Sequence, residues 1–384
     1  MAEKRRKIMI VAGEASGDRH SARLVSAIRK ISSEVNCEFF GAAGPEMRRA
    51  GVEAIVEADA IAIIGLPAIL QALPMFLHIM RKLVAAADSR RPDAVILVDF
   101  PDFNLRLARA LKKRGHRVIY YISPQIWAWR KHRIRSLRKY VDLIISILPF
   151  EKAWYEEHGV GHVLYVGSPL VRDVQTSCSA ADFCGRYNLD PERPVIALLP
   201  GSRREEIRRI APTLAKTAAV MSAANPNLQF VFAVQKGKGE FVSELVNSNG
   251  ASAARIVEGE TYEALAASAA AAVTSGTATL EAALLGVPFA IVYRASQLNY
   301  RLLRPLIKIE YFGLINLIAE EPLVKEFIQD DFTPENLSAE LSRLLQPEVA
   351  ATIKTKMAAA IARLGRGGAS RRAAEAVLKL LEEN

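Results

Sequence analysis

The chain has 384 residues, enough for two hydrophobic cores. It is 51% hydrophobic and 24% charged, which excludes a disordered or fibrous protein. The net charge of +10 points to an anionic partner: nucleic acid, acidic lipid or a phosphorylated substrate.

The basic start, Met1-Ala2-Glu3-Lys4-Arg5-Arg6-Lys7, is followed by an apolar run over 8–12 that stops at Gly13-Glu14. That run is too short for a signal peptide, so a cytoplasmic protein is expected. Cys37, Cys178 and Cys184 are too few for a disulfide framework, lack metal-site spacing and suit a reducing compartment.

Apolar runs at 7–12, 37–40, 94–98, 117–122, 143–148 and 163–166 read as strands, with helical stretches such as 21–31 and 104–114 between them. Nearly continuous apolar runs suit parallel strands buried on both faces. The pattern restarts with strands at 195–199, 229–234, 270–274 and 289–292. Strand–helix alternation twice over predicts an α/β chain of two Rossmann-like, doubly wound domains. Gly, Pro, Ser and Asp cluster between 167 and 194, so the domains are expected at 1–170 and 171–384. The stretch 334–384 reads as largely helical, its last helix packing back on the first domain.

Residues 60–80 carry no charge, and Arg81 and Lys82 follow directly. The length approaches a membrane span, but Gly65, Pro67 and Pro74 argue against an uninterrupted one. A buried core helix and an apolar surface dipping into a bilayer are the competing readings. On the second, Leu66, Ile69, Leu70, Leu73 and Phe76 make the membrane contact.

Several loops follow apolar strands, where ligands bind in such sheets. The first, Gly13-Glu14-Ala15-Ser16-Gly17-Asp18-Arg19-His20, lacks the dinucleotide glycine pattern; Glu14, Asp18 and His20 are its candidates, against helix capping by Ser16 or Asp18. The second, Asp99-Phe100-Pro101-Asp102-Phe103-Asn104, offers Asp99 as a general base and Asp102 as a helix cap. The third, Ser123-Pro124-Gln125-Ile126-Trp127-Ala128-Trp129, runs into six Lys or Arg between 130 and 139. Such a run suits base stacking, a solvated basic face or an anionic lipid surface.

In the second half, Leu199-Pro200-Gly201-Ser202-Arg203 ends a strand and opens a helix, as does Ser275-Gly276-Thr277. Free amides at a helix start bind anions, and the Arg203 guanidinium matches phosphate oxygens. Two such turns suggest a nucleoside diphosphate site formed by Ser202, Arg203, Ser275, Gly276 and Thr277.

Together these motifs, with Ala278-Thr279-Leu280-Glu281 after the last and Pro322-Leu323-Val324-Lys325-Glu326 near the end, resemble those of the lipid-A-disaccharide synthase family, in the family's order. One departure is Ser168, where many members have His. The resemblance implies a GT-B glycosyltransferase that is inverting and acts by a single displacement. It implies transfer of diacylated glucosamine from a UDP donor to diacylated glucosamine 1-phosphate, giving a β-1,6 disaccharide precursor of lipid A and UDP. It also implies an enzyme peripheral on the cytoplasmic face of the inner membrane. A homodimer is left open.

On this reading Asp99 is the first candidate base and Glu14 the second. Arg203 and the two turns stabilise the leaving UDP. Glu281 accepts from ribose hydroxyls, and the resemblance draws Asn316 into the nucleotide site. Asp18, His20, Gln125 and Trp127 complete the substrate-binding candidates. No Asp-x-Asp stands out, so neither a metal nor another cofactor is expected. The alternatives are another UDP-sugar enzyme, an epimerase or soluble-sugar transferase, and a nucleic-acid binder using Trp127 and Trp129. The uncharged 60–80 segment disfavours the first, and the two phosphate turns disfavour the second.

Overall fold

The computed structural model describes residues 6–32, 36–58, 69–128, 130–297, 300–301 and 310–382, with backbone alone at 15 and 69–73. The chain divides into two compact units, one running to Pro169 and taking back the chain from Arg366, the other spanning Leu170–Gly365.

Unit 1 alternates β1 (Arg6–Ala12), α1 (Ala15–Ile31), β2 (Cys37–Ala43), α2 (Pro45–Arg49), β3 (Glu53–Glu57), α3 (Ile69–Arg90), β4 (Ala94–Val98), α4 (Pro101–Lys112), β5 (Val118–Tyr121), α5 (Ile134–Tyr140), β6 (Leu143–Ser146), α6 (Glu151–Glu157) and β7 (Val163–Tyr165). Unit 2 continues with α7 (Leu170–Asp173), α8 (Ala180–Arg186), β8 (Val195–Leu199), α9 (Arg204–Ala224), β9 (Gln229–Val234), α10 (Gly239–Asn247), β10 (Arg255–Glu258), α11 (Thr261–Ala266), β11 (Ala270–Thr274), α12 (Ala278–Leu284), β12 (Phe289–Tyr293), α13 (Leu314–Ala319), β13 (Glu326–Ile328), α14 (Pro334–Leu344) and α15 (Pro347–Ala362). The last helix, α16 (Ala369–Glu382), belongs to unit 1.

Both sheets are parallel, in the orders β3-β2-β1-β4-β5-β6-β7 and β10-β9-β8-β11-β12-β13. Strand side chains alternate between faces, so β1 sends Met9 and Val11 into one core and Ile8, Ile10 and Ala12 into the other. The first core is covered by α3, α4, α5 and α6, the second by α1 and α16. On α16, Ala369, Ala373, Val377 and Leu381 form the buried stripe. Its last carbonyls, left without intrahelical donors, receive Arg6 Nη1 at Leu381 (2.5 Å) and Arg117 at Leu380.

The strands β3, β10 and β13 escape the expectation from apolar runs. All three are sheet edges, short and bearing charged residues. The helix expected from 21 begins at 15, so Ser16, Asp18 and His20 sit inside α1. Glu14 is the N-cap position, without a side-chain cap. Nor does Asp102 cap α4: Phe100 holds that position, and Asp102 pairs with Arg130 (2.7 Å) and Arg133. Among the described residues no helix is long and apolar enough to cross a membrane.

Candidate active site

In unit 1 the strand order reverses between β1 and β4, which pair Ala12 with Val98. The chains leaving these strands diverge, and the crevice at their carboxyl ends is where such sheets bind ligands. The register therefore brings together two sequence candidates, Glu14 and Asp99, on adjoining loops. Both are half-buried.

The backbone there is strained. Asp99 and Phe100 both have φ of +47°, and the β-branched Ile122, after β5, has +61°. Each such residue costs of order 1–3 kcal/mol and persists only when its surroundings hold it. Asn104 Nδ2 donates to the carbonyls of Val98 (3.1 Å) and Asp99 (2.8 Å). Tyr120 Oη also donates to the Asp99 carbonyl (2.6 Å). Burial, then the nearby Asp99 charge, keeps that phenol protonated. Gly13 is required beside them, because a Cβ there would lie 2.6 Å from the Phe100 ring.

Asp18 serves a different purpose. Its carboxylate, 3% exposed, accepts from the amides of Gly44 (3.0 Å), Glu46 (2.8 Å) and Met47 (3.1 Å). It thus caps α2, not its own helix. His20 lies half-buried on α1; burial, then Arg23 and Arg19, lower its imidazole to about 4, leaving it neutral at pH 7. Trp127 is not a stacking platform for bases. It is 5% exposed, donates Nε1 to Glu151 (3.2 Å) and meets Phe150 edge to face (5.0 Å). Gln125 is exposed. Trp129 lies outside the described residues.

Unit 2 repeats the device. Its strand order reverses between β8 and β11, where Leu199 pairs with Val273 and Thr274 Oγ1 donates to the Leu199 carbonyl (2.7 Å). The loops after these strands are the two sequence-picked turns. At the first, Gly201 has φ of +107°, and a Cβ would lie 3.0 Å from Glu206 Oε2. That oxygen accepts from the amides of Ser202 (3.2 Å) and Arg203 (3.1 Å). The amides expected to meet phosphate here are therefore engaged by the third residue of α9, in capping-box fashion. Arg203 itself is 72% exposed and 3.8 Å from Glu206, a weak pairing that leaves its guanidinium available. Lys238 donates to the Ser202 carbonyl and to Gln235 (3.1 Å), and burial lowers its ammonium.

The second turn is more open. Gly276 has φ of +147° with nothing near its missing side chain, and Gly276 and Thr277 are exposed. Their amides make no hydrogen bond among the described residues. Ser275 Oγ donates to the Phe312 carbonyl (3.0 Å) and Thr279 Oγ1 to the Gly276 carbonyl (2.8 Å). Glu281 accepts from Tyr262 Oη (3.1 Å).

Asn316 is fully buried, and both ends of its amide are hydrogen-bonded. Its Nδ2 donates to the Val324 carbonyl (2.8 Å) and to Glu326 (2.8 Å), and its Oδ1 accepts from the Val324 amide (3.0 Å). Glu326 also accepts from the amides of Phe312 and Gly313, both at 2.9 Å. Asn316 thus braces the segment that holds Ser275. Sequence reasoning missed Tyr120, Glu151, Glu206 and Lys238. Of these only Glu206 left a signal, an acid three residues after the N-cap.

Of the membrane candidates, Leu66 and the side chains of Ile69, Leu70 and Leu73 lie outside the described residues. Phe76 packs inward, edge to face with Phe103 (4.8 Å). Next to it on α3, Met75 is 42% and Leu77 36% exposed, followed by exposed Arg81 and Lys82.

The model of the lipid-A-disaccharide synthetase family matches residues 8–380. A lipid-A-disaccharide synthase of Myxococcus xanthus is 42% identical over 381 residues, 98% of this chain and 97% of that protein. Among solved structures, the chain is similar to a UDP-GlcNAc 2-epimerase from Neisseria meningitidis bound to UDP-GlcNAc, with TM-score 0.66, 14% identity and coverage of 98% and 100%. It is also similar to the calicheamicin glycosyltransferase CalG4, with TM-score 0.61, 18% identity and 99% of each chain covered. These likenesses show the fold, the two Rossmann-like units of the GT-B architecture.

Replacing Asn316 by Ala strands the Val324 amide and carbonyl and is expected to cost about 2–4 kcal/mol in a urea titration. Unchanged stability with lost UDP affinity would return Asn316 to a nucleotide site.

Proposed function

Because this chain belongs to the lipid-A-disaccharide synthetase family, we infer that it is a glycosyltransferase joining two acylated glucosamines. It transfers diacylated glucosamine from its UDP donor to diacylated glucosamine 1-phosphate, forming a β-1,6 disaccharide and releasing UDP. The observation that carries the residue assignment is the Ala12–Val98 register, which sets Glu14 and Asp99 on adjoining loops at the carboxyl ends of β1 and β4.

Unit 1 is read as the acceptor unit. The acceptor 6-hydroxyl attacks the anomeric carbon of the donor sugar in one displacement. The new C–O bond forms as the bond to the UDP phosphate breaks, inverting the anomeric centre, and the hydroxyl proton passes to Asp99. Glu14 is the second candidate for that proton. The strain at Asp99 supports its assignment, since outliers so firmly held cluster at functional sites.

Unit 2 is read as the donor unit. Charge grows on UDP as it leaves. The exposed Arg203 guanidinium and the amides of the turn at Gly276 and Thr277 are the groups proposed to meet it. With Glu206 on the amides of Ser202 and Arg203, the side chain of Arg203 is the donor expected from the first turn. Glu281 remains the proposed ribose contact. The chemistry needs no metal: cationic and amide donors supply the stabilisation.

The acceptor is an anionic lipid, and one face of unit 1 suits its source. Met75 and Leu77 are exposed beside Arg81 and Lys82, and Arg106 lies 5.7 Å over the Phe76 ring on the neighbouring α4. Exposed apolar side chains flanked by cations favour an anionic bilayer surface. We read this face as the peripheral contact with the cytoplasmic side of the inner membrane.

Purified protein in detergent micelles, given both lipids after exhaustive chelation, is expected to yield UDP and disaccharide together. UDP without acceptor would indicate a hydrolase or epimerase-like relative, and loss of activity on chelation would overturn the metal-free mechanism. Replacing Met75 and Leu77 by Ser should release the protein from phosphatidylglycerol-containing vesicles without lowering its melting temperature. Unchanged vesicle binding would overturn the membrane face.

A further inference from the structure

The motif over residues 123–129 has no part in the chemistry above, yet buried side chains anchor its turn. Ser123, Pro124, Ile126 and Trp127 are buried, and Gln125 between them is exposed. The turn begins where β5 ends, beside the candidate base: the Asp99 amide donates to the Tyr121 carbonyl (3.1 Å), and the next residue is the strained Ile122.

What holds the turn comes from the start of α6. Glu151, 1% exposed, accepts from Trp127 Nε1 through one oxygen (3.2 Å) and from the Leu148 amide through the other (3.3 Å). One helical turn on, Tyr155 Oη donates to the Pro124 carbonyl (3.3 Å). The Phe150 ring closes on Trp127 from the side. A buried carboxyl is costly, and burial pushes this one up to about 7 although its partners favour the charged form. A Glu there has no evident packing advantage over an apolar residue. Its distinctive property is an acceptor aimed at the indole of the turn.

We propose that Glu151 is a positioning residue for the transfer reaction: it fixes the turn at residues 123–127 so that Gln125, its one solvent-facing side chain, hydrogen-bonds a hydroxyl of the sugar-phosphate acceptor. This rests on reading unit 1 as the acceptor unit. Glu151 touches no substrate itself and acts through Trp127.

The test compares Glu151→Leu, Trp127→Phe, the double variant and Gln125→Ala, each assayed with both lipid substrates, for UDP binding and by thermal melting. Leu fills the space of the Glu side chain and leaves no acceptor for the indole, whereas Gln would keep one. In folded Glu151→Leu the acceptor KM should rise about tenfold, with kcat within about threefold and UDP affinity unchanged. Trp127→Phe, which keeps a ring but removes the donor, and Gln125→Ala should raise acceptor KM in the same way. The double variant should be no worse than Glu151→Leu, since both changes break the same hydrogen bond. A wild-type acceptor KM in folded Glu151→Leu overturns the proposal, as does a parallel fall of kcat, UDP affinity and melting temperature. If Glu151→Leu does not fold, a wild-type acceptor KM in Trp127→Phe overturns it. A wild-type protein that makes no disaccharide overturns the reaction and the positioning role together. Disaccharide synthesis with unmoved variants overturns the positioning role alone.

Discussion

The structure depends on one feature of parallel sheets: a strand order that reverses direction. At β1–β4 and again at β8–β11, adjacent parallel strands send their outgoing chains to opposite sides. The divergence leaves a crevice at their carboxyl ends, lined by the loops that follow the two strands, as at half-buried Glu14 and Asp99 and at exposed Gly276 and Thr277. Every loop assigned a chemical role sits at or next to one of these two reversals. The registers Ala12–Val98 and Leu199–Val273 decide which side chains become neighbours.

The two reversals use that opening differently. In unit 1 the loop after β4 takes two consecutive left-handed residues, and buried donors hold the carbonyl between them. Asn104 and Tyr120 thus stabilise a backbone path that the chain would not adopt alone. In unit 2 the strain is carried by glycines, Gly201 and Gly276, which reach positive φ at little cost. A carboxylate site needs a side chain at the strained position, whereas an anion site needs backbone amides to come close.

The buried strands were legible in the sequence because burial on both faces leaves nearly uninterrupted apolar runs, as in β1, β4, β8 and β11. The end of each such run marks the loop that follows it. The edge strands β3, β10 and β13 were not legible, since an edge keeps its charges and is short. Polar residues were harder still. Asp18 finds its partners at Gly44, Glu46 and Met47, and Asn316 at Val324 and Glu326. Nothing local distinguishes a carboxylate or amide that faces a ligand from one that clips distant backbone. Trp127 misled for a related reason: an aromatic beside a basic run looks like a stacking surface until Glu151 claims its indole.

The proposed transfer turns on Asp99, held at the first reversal, taking the acceptor proton. Its most direct test is the turnover of Asp99→Asn beside that of Glu14→Gln, with UDP affinity measured on both. Asp99→Asn is expected to lower kcat by about two decades or more while UDP affinity is unchanged, because an amide of the same shape accepts no proton. Near wild-type turnover in Asp99→Asn would contradict it, and a collapse confined to Glu14→Gln would move the base to the neighbouring loop.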